Sequence, residues 1–292
     1  MSGTANAMVE NRVQRGEVKL VPFTRAHLPG GLELSQEMGW PYRLEDWEVA
    51  LDLGEGFALE SGGNVIGTAM WWPYGQTHAS AGMIIVAKAA QGRGHGALLM
   101  DALLAAAQSR TITLNSTDEG FALYERRGFV TVGTIQQHQG VPTQQHQAPP
   151  SSLVRTMTPS DAEAVAGLDR EATGWTRPQT LRKLAQIAKG HVLQRGGAPR
   201  GYAFCRLFGR GHVIGPVVAE NLDDARALIE AALAPLGSTF VRIDTAASTH
   251  LGPWLESIGL AQVGEATTMV LGPQTPATGP ARMFALANQS FN

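Results

Sequence analysis

The sequence predicts a mixed α/β protein built from two tandem copies of one folding unit. The chain repeats itself, because "GFALESGGNVIGTA" from Gly56 returns without a gap as "GHVLQRGGAPRGYA" from Gly190. Strand-like and helix-like segments alternate in the first copy. A glycine-rich turn, "QGRGHG", lies between an apolar strand and an apolar helix. Together these observations indicate a sheet whose strands continue past a crossover helix.

The elements of the first copy follow in order. "VKLVPF" alternates like a strand, and two short helices broken near Pro41 are predicted between Thr24 and Leu53. "GFALE" and "NVIGTAMWW" form a hairpin across "SGG". "AGMIIVA" is a continuous apolar run, typical of a strand buried on both faces, and "ALLMDALLAAA" is a helix with one polar residue. The strand "TITLN", a helix through "FALYERR" and the strand "FVTVGTI" complete the unit.

Two more segment pairs extend the repeat. "QEMGW" returns as "REATGW", and "YERRGF" is matched by "LESIGL". The Gln-, Pro- and His-rich stretch between the copies is typical of a linker. The predicted organisation is a disordered segment 1–16, an N-terminal domain 17–136, a linker 137–152 and a C-terminal domain 153–292. The end of that domain, "ARMFALANQSFN", has a helical apolar pattern and is expected to dock on the second copy.

The composition is that of an ordinary soluble globular protein. Hydrophobic residues make up 43% and charged residues 16%, with a formal net charge of -2, so neither nucleic acid nor an anionic membrane is an expected partner. The most apolar helix is too short to span a bilayer and contains Asp101. A single cysteine, Cys205, excludes an internal disulfide, is expected to be buried, and makes the cytoplasm the expected compartment. No metal site is predicted.

The glycine turn is a candidate anion site. Unpaired N–H groups at a helix start attract negative charge, and glycine lets the backbone approach a diphosphate closely. A Walker loop would need a Gly-Lys-Ser/Thr ending, which is absent, and a Rossmann turn would need a second βαβ unit with an acidic strand end. The remaining alternative is a flexible, glycine-rich loop that binds no ligand.

The pattern Gln91-x-x-Gly94-x-Gly96, followed later by "ALYERRGF", resembles the GNAT acetyltransferases. The resemblance implies two tandem GNAT folds, each a mixed, mostly antiparallel sheet flanked by helices. It also implies that the loop holds the pyrophosphate of acetyl-coenzyme A, and that the preceding strand splays from its neighbour and pairs with the pantetheine arm. The implied cofactor-binding residues are Ile84, Ile85, Val86, Gln91, Gly92, Arg93, Gly94, His95, Gly96 and Tyr124.

The resemblance also implies two catalytic groups. Tyr124 matches the tyrosine that gives a proton to the departing thiolate, and a phenol with a pKa near ~10 is protonated at neutral pH. The main-chain N–H at or next to Val86 is the expected oxyanion donor. Many relatives place a glutamate on the strand here occupied by "GMIIV", and this chain has none. The general base is therefore open between Glu45, Asp46, His78 and a water relay.

Aromatic residues concentrate before the cofactor strand, where they could form an acceptor pocket or fill the core. We expect one of the neighbours Trp71 and Trp72 to face the cleft, because the two side chains of adjacent strand residues point to opposite faces. The candidate substrate-binding residues are Trp40, Asp46, Trp72, Tyr74 and His78.

The second copy has lost this chemistry. Where the first copy reads "AKAAQGRGHGALL", the second reads "AENLDDARALI", and the acids Glu220, Asp223 and Asp224 would repel a phosphate. Leu255 stands in place of Tyr124. The second copy is therefore interpreted as inert. It could complete the acceptor pocket, through Asp244 or Trp254, or only shield apolar surface.

The leading hypothesis is an acetyl-coenzyme A-dependent N-acetyltransferase for a small-molecule primary amine, with one active site in the N-terminal copy. A coenzyme A-responsive binding protein without turnover is one alternative, and a protein or peptide N-acetyltransferase is another. The two copies are expected to pair as an internal pseudo-dimer in a monomer, or to do so within a homodimer.

Overall fold

A computed structural model describes residues 17–143, 151–274 and 277–292. The chain forms two compact units. The first contains Met1–Trp71 and Met83–Gln108, and the second contains Trp72–Gly82 and Ser109–Asn292. The predicted disorder over 1–16 and the middle of the predicted linker lie outside the described residues.

The first unit contains the beginning of the first copy and its glycine turn. Strand β2 pairs antiparallel with β1 and with β3, which confirms the predicted hairpin. The two helices broken near Pro41 are also confirmed. The core of this unit includes Trp47, Leu59, Met70 and Leu99, all fully buried. Its elements are β1 (Lys19–Pro22), α1 (Leu28–Glu37), α2 (Leu44–Leu53), β2 (Glu55–Ser61), the first part of β3 (Asn64–Tyr74), the second part of β4 (His78–Val86) and α3 (His95–Ala107).

The second unit contains the rest of the first copy and the whole second copy. Its strands lie in the order β4-β5-β12-β6-β11-β10-β9-β8-β7, and β13 pairs with β10. Most neighbours are antiparallel, whereas β4–β5 and β10–β11 are parallel. The strands are β5 (Thr111–Ser116), β6 (Val130–Gly140), β7 (Val154–Thr156), β8 (Lys189–Arg195), β9 (Ala198–Phe208), β10 (Gly211–Ala219), β11 (Val241–Ala246), β12 (Ala261–Leu271) and β13 (Arg282–Ala285). The helices are α4 (Asp118–Glu125), α5 (Ala162–Thr173), α6 (Pro178–Ile187), α7 (Leu222–Leu233) and α8 (Gly252–Ser257).

The two copies exchange their last strands within the second unit. Strand β12 of the second copy pairs with β5 of the first, and β6 of the first copy pairs with β11 of the second. Strands β6 and β12 also pair with each other, and Ile135 lies opposite Ala266. Ala266 follows Ile135 by the 131 positions that separate Tyr124 from Leu255, so a residue faces its own counterpart. This pair marks a local pseudo-twofold axis and supports the internal pseudo-dimer.

Because of this strand exchange, the two compact units do not coincide with the two predicted domains. The domain predicted over 17–136 has residues in both units, because its strands β5 and β6 lie with the second copy. The predicted linker 137–152 begins too early, since β6 continues to Gly140. Residues 137–140 look like linker in sequence because they are polar, but Gln137, His138 and Gln139 lie in register with β11.

The C-terminal tail is not the predicted helix. Arg282–Ala285 forms β13, antiparallel to β10, and the residues after it are almost entirely buried. Asn288 stabilises this irregular segment, because its side-chain oxygen accepts hydrogen bonds from the N–H groups of Ser290 and Phe291 at 2.9 Å. The spacing of apolar residues resembled a helical face, but it reflects contacts with two different strands. Tail residues contact Gly82 and Tyr74 as well as the second copy.

Cys205 is buried in β9 as predicted, within the second copy's core, and burial raises the pKa of its thiol to about 11. None of the helices formed by the described residues is both long enough and apolar enough to cross a membrane.

Candidate functional site

The glycine turn links β4 to α3 in the first unit. A short 3-10 turn over Lys88–Ala90 is followed by exposed residues, and α3 begins at His95. Gly92 and Gly94 have φ angles of 73° and 82°, a left-handed conformation that favours glycine. A Cβ at either position would have no atom within 4 Å. These glycines are therefore needed for the path of the turn and leave open space around it.

The N-cap of α3 offers no side chain to the backbone donors of the first helical turn. Its N-cap is Gly94, which has no side chain to accept a hydrogen bond, and its first turn contains no acidic residue. His95 and Gly96 lie inside the helix, half-buried, whereas Arg93 is exposed at the rim. N–H groups at a helix start together with the helix dipole form an anion site. This geometry matches what a diphosphate requires.

The end of β4 is held against the turn. The side-chain amide of Gln91 donates a hydrogen bond to the carbonyl of Val86 at 3.0 Å, which joins the first loop residue to the last strand residue. Ile85 is buried, whereas Ile84 and Val86 on the opposite face are half-buried. The backbone of Ile84–Val86 thus lies along one edge of a strand that leads directly into the turn.

Met83, which precedes the candidate cofactor strand segment Ile84–Val86, has a conformation that the sequence did not indicate. It is buried and has a φ of 51°, which is unusual for a residue with a bulky side chain. The hydroxyl of Thr68 donates to the carbonyl of Met83 at 2.8 Å and helps to hold this conformation. The strain lies immediately before Ile84–Val86, and strained backbone concentrates at functional sites. Only the preceding Gly82 breaks the apolar run, so no pattern predicted the irregularity.

Tyr124 lies on α4 in the second unit. Its side chain is almost completely buried beside Phe129, with ring centroids 6.0 Å apart. Burial raises the pKa of its phenol to about 12. Tyr124 therefore remains protonated at every physiological pH, as the prediction required.

The candidate base Asp46 is engaged locally in the first unit. Its carboxylate accepts hydrogen bonds from the main-chain N–H of Arg43 at 3.0 Å and from the guanidinium of that residue at 2.9 and 3.1 Å. Asp46 is buried and forms a capping box at the start of α2. This arrangement assigns it to the helix terminus and gives no support to its role as a base. Trp40 and Tyr42 are half-buried nearby, with Tyr42 6.3 Å from the Trp47 ring.

Trp71 and Trp72 are both buried, which gives no support to the expectation that one of them faces the cleft. In the second unit the Trp72 ring lies 5.6 Å from Phe291 of the tail. Tyr74 is buried beside them, and its hydroxyl bonds to Ser80 at 3.0 Å and to the carbonyl of Phe291. Burial raises the pKa of Tyr74 to about 12. Trp72 and Tyr74 therefore pack against the C-terminal tail.

His78 borders a cavity in the second unit. It is 7% exposed, its Nδ1 lies 2.9 Å from the hydroxyl of Thr77, and burial lowers its pKa. The Trp175 ring of the second copy lies 5.8 Å from the imidazole and 5.5 Å from Tyr74. Sequence reasoning missed Trp175, although it ends the segment "REATGW" that marks the repeat.

In the second copy, polar side chains occupy the start of the equivalent helix, α7. Asn221 caps α7 by accepting a hydrogen bond from the N–H of Asp224 at 3.0 Å. The Asp224 carboxylate is buried and forms a two-bond ion pair with Arg195, one contact being 2.7 Å. Leu255 is fully buried in the core, where it has no group that could donate a proton. The predicted loss of the anion site thus has a structural basis.

The two residues suggested as second-copy contributors to an acceptor pocket have other partners. Asp244 is fully buried, pairs with Arg242 at 2.9 Å and accepts a hydrogen bond from Gln289 of the tail at 2.9 Å. Trp254 packs at the edge of the second copy's core with Arg226 above its ring. Neither residue lines the cavity beside His78.

The fold and the two helix starts define an acetyltransferase architecture with one altered copy. Residues 52–131 and residues 165–285 each match the Acetyltransferase (GNAT) domain family. The chain therefore belongs to the GNAT acetyltransferases and carries two copies of the domain in tandem.

Individual relatives agree with this assignment. The chain is 25% identical over 216 residues to an uncharacterized N-acetyltransferase, YitH, of Bacillus subtilis, covering 72% of this chain and 76% of that protein. It is 28% identical over 229 residues to the holothin acyltransferase of a Pseudoalteromonas species, covering 70% and 77%. A crystal structure of a putative acetyltransferase from Pyrococcus horikoshii has the same fold, with a TM-score of 0.78, 19% identity and coverage of 94% and 96%.

Proposed function

We propose that the chain transfers an acetyl group from acetyl-coenzyme A to a primary amine of a small molecule, and that only the first copy binds the cofactor. The observation that carries the proposal is the contrast between two equivalent helix starts. At α3 the N-cap is a glycine and no acid is near, whereas at α7 a capping Asn221 and the Asp224–Arg195 ion pair occupy the same position.

The residues of the first unit suit the cofactor. Main-chain N–H groups between Gln91 and Gly96 would hold the diphosphate, with Arg93 adding positive charge at the rim. The backbone of Ile84–Val86 would pair with the amides of the pantetheine arm as a further strand would. Acetyl-coenzyme A, when bound, supplies an activated acyl carbon and a thiolate leaving group.

Groups of the chain itself are suited to stabilise the developing charges and to move the protons of this reaction. In the balanced reaction the neutral amine of the acceptor would gain the new C–N bond as the C–S bond breaks, and its nitrogen would lose one proton to water. The N–H at Val86 donates a hydrogen bond to the carbonyl oxygen as negative charge develops there. Tyr124 would donate its phenolic proton to the departing sulfur as the general acid, and the phenolate would regain a proton from the water that accepts one from the nitrogen. Burial raises the pKa of the phenol to about 12, which disfavours a lasting phenolate and favours the return of its proton.

Calorimetry with coenzyme A tests the cofactor assignment. The wild-type chain should bind one molecule per chain, and Gly94→Glu should abolish binding by adding a carboxylate at the helix start. Gly197→Glu is the matched control, because Gly197 has a φ of 80° and equally open surroundings on a hairpin of the second copy. Two equal sites per chain, or binding that survives Gly94→Glu, would contradict the proposal.

Thiol release with a panel of primary amines tests turnover. The expected result is release of one thiol per acetylated amine, confirmed by mass spectrometry of the product. Binding of coenzyme A without release for any amine would instead indicate a binding protein, and acetylation of peptide N-termini alone would indicate a protein acetyltransferase.

A further inference from the structure

Two parallel strands of the second copy separate and leave a groove between them. Strands β10 and β11 pair in parallel at the first residues of β10, as far as Val213. Farther along, Val217 and Val218 of β10 pair with β9 on one side and with β13 on the other, where β11 lies. We call the space between Val217–Ala219 of β10 and Asp244–Thr245 of β11 the β10–β11 groove.

Strand β13 is bonded to both walls of the β10–β11 groove. Along the β10 wall it lies antiparallel and in register with Val217–Ala219. At the β11 wall, the N–H of Leu286 donates to the carbonyl of Asp244 at 2.9 Å. The hydroxyl of Thr245 donates to the carbonyl of Phe284 at 2.6 Å. The backbone of β13 therefore satisfies polar groups of two strands that have separated from each other.

The groove and its entrance are shaped for this strand. The carboxylate of Glu171, on α5, accepts a hydrogen bond from the N–H of Ala281 at 2.9 Å, just before β13 begins. Gly279 leaves no room for a Cβ beside the same carboxylate. Inside the groove, a Cβ on Gly215 would overlap the carbonyl oxygen of Leu286. Glycine at these two positions permits the close approach of the strand.

The repeat relates this groove to the cofactor strand of the first copy. Strands β4 and β10 both have nine residues, and the fifth is a glycine in each, Gly82 and Gly215. Strand β4 also pairs in parallel with its neighbour β5 at its beginning, as far as Ala81. Val217–Ala219 are therefore the counterparts of Ile84–Val86, the segment that we assign to the pantetheine arm.

We propose that the β10–β11 groove is a strand-binding site for an extended peptide, and that β13 occupies it in the place of a pantetheine arm. The inference rests on the proposed function, because that function assigns the pantetheine arm to Ile84–Val86. An extended peptide offers amide groups to neighbouring strands and carries no diphosphate. It therefore suits a groove whose β10 wall leads into α7, where Asn221 and Asp224 occupy the helix start. The second copy thus binds a segment of its own chain instead of coenzyme A.

The side chains of β13 define the class of peptide that the groove accepts. Phe284 and Ala285 are buried in the core of the second copy. Leu286 packs with Ile135 and Ala266, close to the local pseudo-twofold axis. Because side chains of a strand alternate between its two faces, the ligand must be apolar on both faces.

Amide hydrogen exchange of the full wild-type chain, followed by NMR, tests which groove is occupied. Without ligand, the fastest amide of residues 217–219 should exchange at least about 10-fold more slowly than the fastest amide of residues 84–86, because β13 protects the first segment. Coenzyme A should slow exchange at 84–86 and leave 217–219 unchanged. Equal rates in the two segments without ligand, or slower exchange at 217–219 on adding coenzyme A, would overturn the inference.

Leu286→Pro releases the strand, because it removes the N–H that donates to Asp244. Exchange at 217–219 should then rise towards the rate at 84–86. A synthetic peptide of residues 281–287, added to this variant, should slow exchange at 217–219 at least about 10-fold, whereas coenzyme A should not. The same peptide carrying Phe284→Asp is the matched control and should not bind, because Phe284 is buried in the core. No protection by the unaltered peptide, or protection of 217–219 by coenzyme A, would overturn the inference.

Thr245→Val is a milder variant that keeps the side-chain shape and removes the hydroxyl bonded to Phe284. Unchanged exchange at 217–219 in both variants would overturn the inference, and the wild-type measurement needs neither of them. Failure of the proposed function gives a different result: coenzyme A would not slow exchange at 84–86, while 217–219 would remain protected by β13. In that case the cofactor assignment is wrong and the strand-binding site stands.

Discussion

Gly120 lies directly against the ring of Tyr124, one helical turn away on α4. A Cβ built on Gly120 would be 2.8 Å from Cε2 of the tyrosine and 3.3 Å from its hydroxyl oxygen. Contacts this short cannot persist, so any side chain at position 120 must displace the phenol. The glycine therefore sets the position of the group that we assign as the general acid.

Gly120→Ala should lower kcat by displacing Tyr124 while leaving coenzyme A affinity within twofold of wild type. A displacement of about 1 Å at a reacting group can cost on the order of 100-fold in rate. The measurement is steady-state thiol release together with calorimetry. Gly167→Ala is the control, because Gly167 lies inside α5 with nothing within 4 Å of its added Cβ. Unchanged kcat in Gly120→Ala would remove Tyr124 from the mechanism.

Tyr124→Phe should reduce kcat by roughly 10²–10⁴-fold, the usual range for loss of a positioned acid. The wild-type pH profile should show no alkaline decline from this group below about pH 11, because burial raises its pKa to about 12. The variant should therefore keep the shape of the wild-type profile between pH 7 and 10 at a lower rate. A decline near pH 10 that disappears in Tyr124→Phe would show that the phenol is less buried than described.

How far the sequence predicted these features depends on how local they are. The hairpin, the glycine turn and the helix after it were predicted because "SGG" and "QGRGHG" specify their own backbone conformations. Cys205 was correctly placed in the core because its strand-like neighbours are apolar. The loss of the anion site in the second copy was also predicted from the sequence, since Asp224 lies in the first turn of α7.

The strand exchange, the packing of the tail and the stacking of Trp175 were missed because they depend on contacts between distant residues. Strands β6 and β12 have the same pattern whether or not they are exchanged, because only the pairing partner differs. Phe291 is buried against Trp72, more than 200 positions earlier, and no local pattern encodes such a contact. The role of Trp175 required knowing that it stacks on Tyr74, a residue of the other copy.

Stability should fall as the pH decreases from 7.5 to 5, partly through His78. Burial lowers the pKa of this imidazole in the folded state, so the unfolded chain binds more protons as the pH falls through its normal value of about 6.5. The stabilisation is complete above that pH and is lost below it. His191 is shifted in the same direction, also mainly by burial.

Urea unfolding of His78→Phe at the two pH values measures this contribution. The difference in free energy of unfolding between pH 7.5 and 5 should be smaller in the variant than in the wild type. The exposed His250 supplies the control, and His250→Asn keeps a side chain that tolerates its φ of 56°. An identical pH dependence in His78→Phe and wild type would mean that His78 titrates normally in the folded protein.

Arg177 should be the most costly single charged residue to remove from the second copy. Its guanidinium is fully buried, pairs with Asp169 at 2.8 and 2.9 Å, and also bonds to Asn292 of the tail. Tyr202 donates its hydroxyl hydrogen to the same carboxylate. Arg177→Met leaves Asp169 buried without its counter-ion, and breaking such a pair costs about 3–5 kcal/mol of the free energy of unfolding.

The combined variant Arg177→Met, Asp169→Leu and Tyr202→Phe separates the cost of an unpaired charge from the value of the pair. Because the three polar side chains of this buried cluster are removed together, it should be more stable than Arg177→Met alone, as measured by urea unfolding. Arg182→Met, an exposed arginine on the next helix, should change stability by no more than about 0.5 kcal/mol. A loss below about 1 kcal/mol for Arg177→Met would show that water reaches Asp169. The ion pair would then not be what fixes the tail and Trp175 beside the cavity.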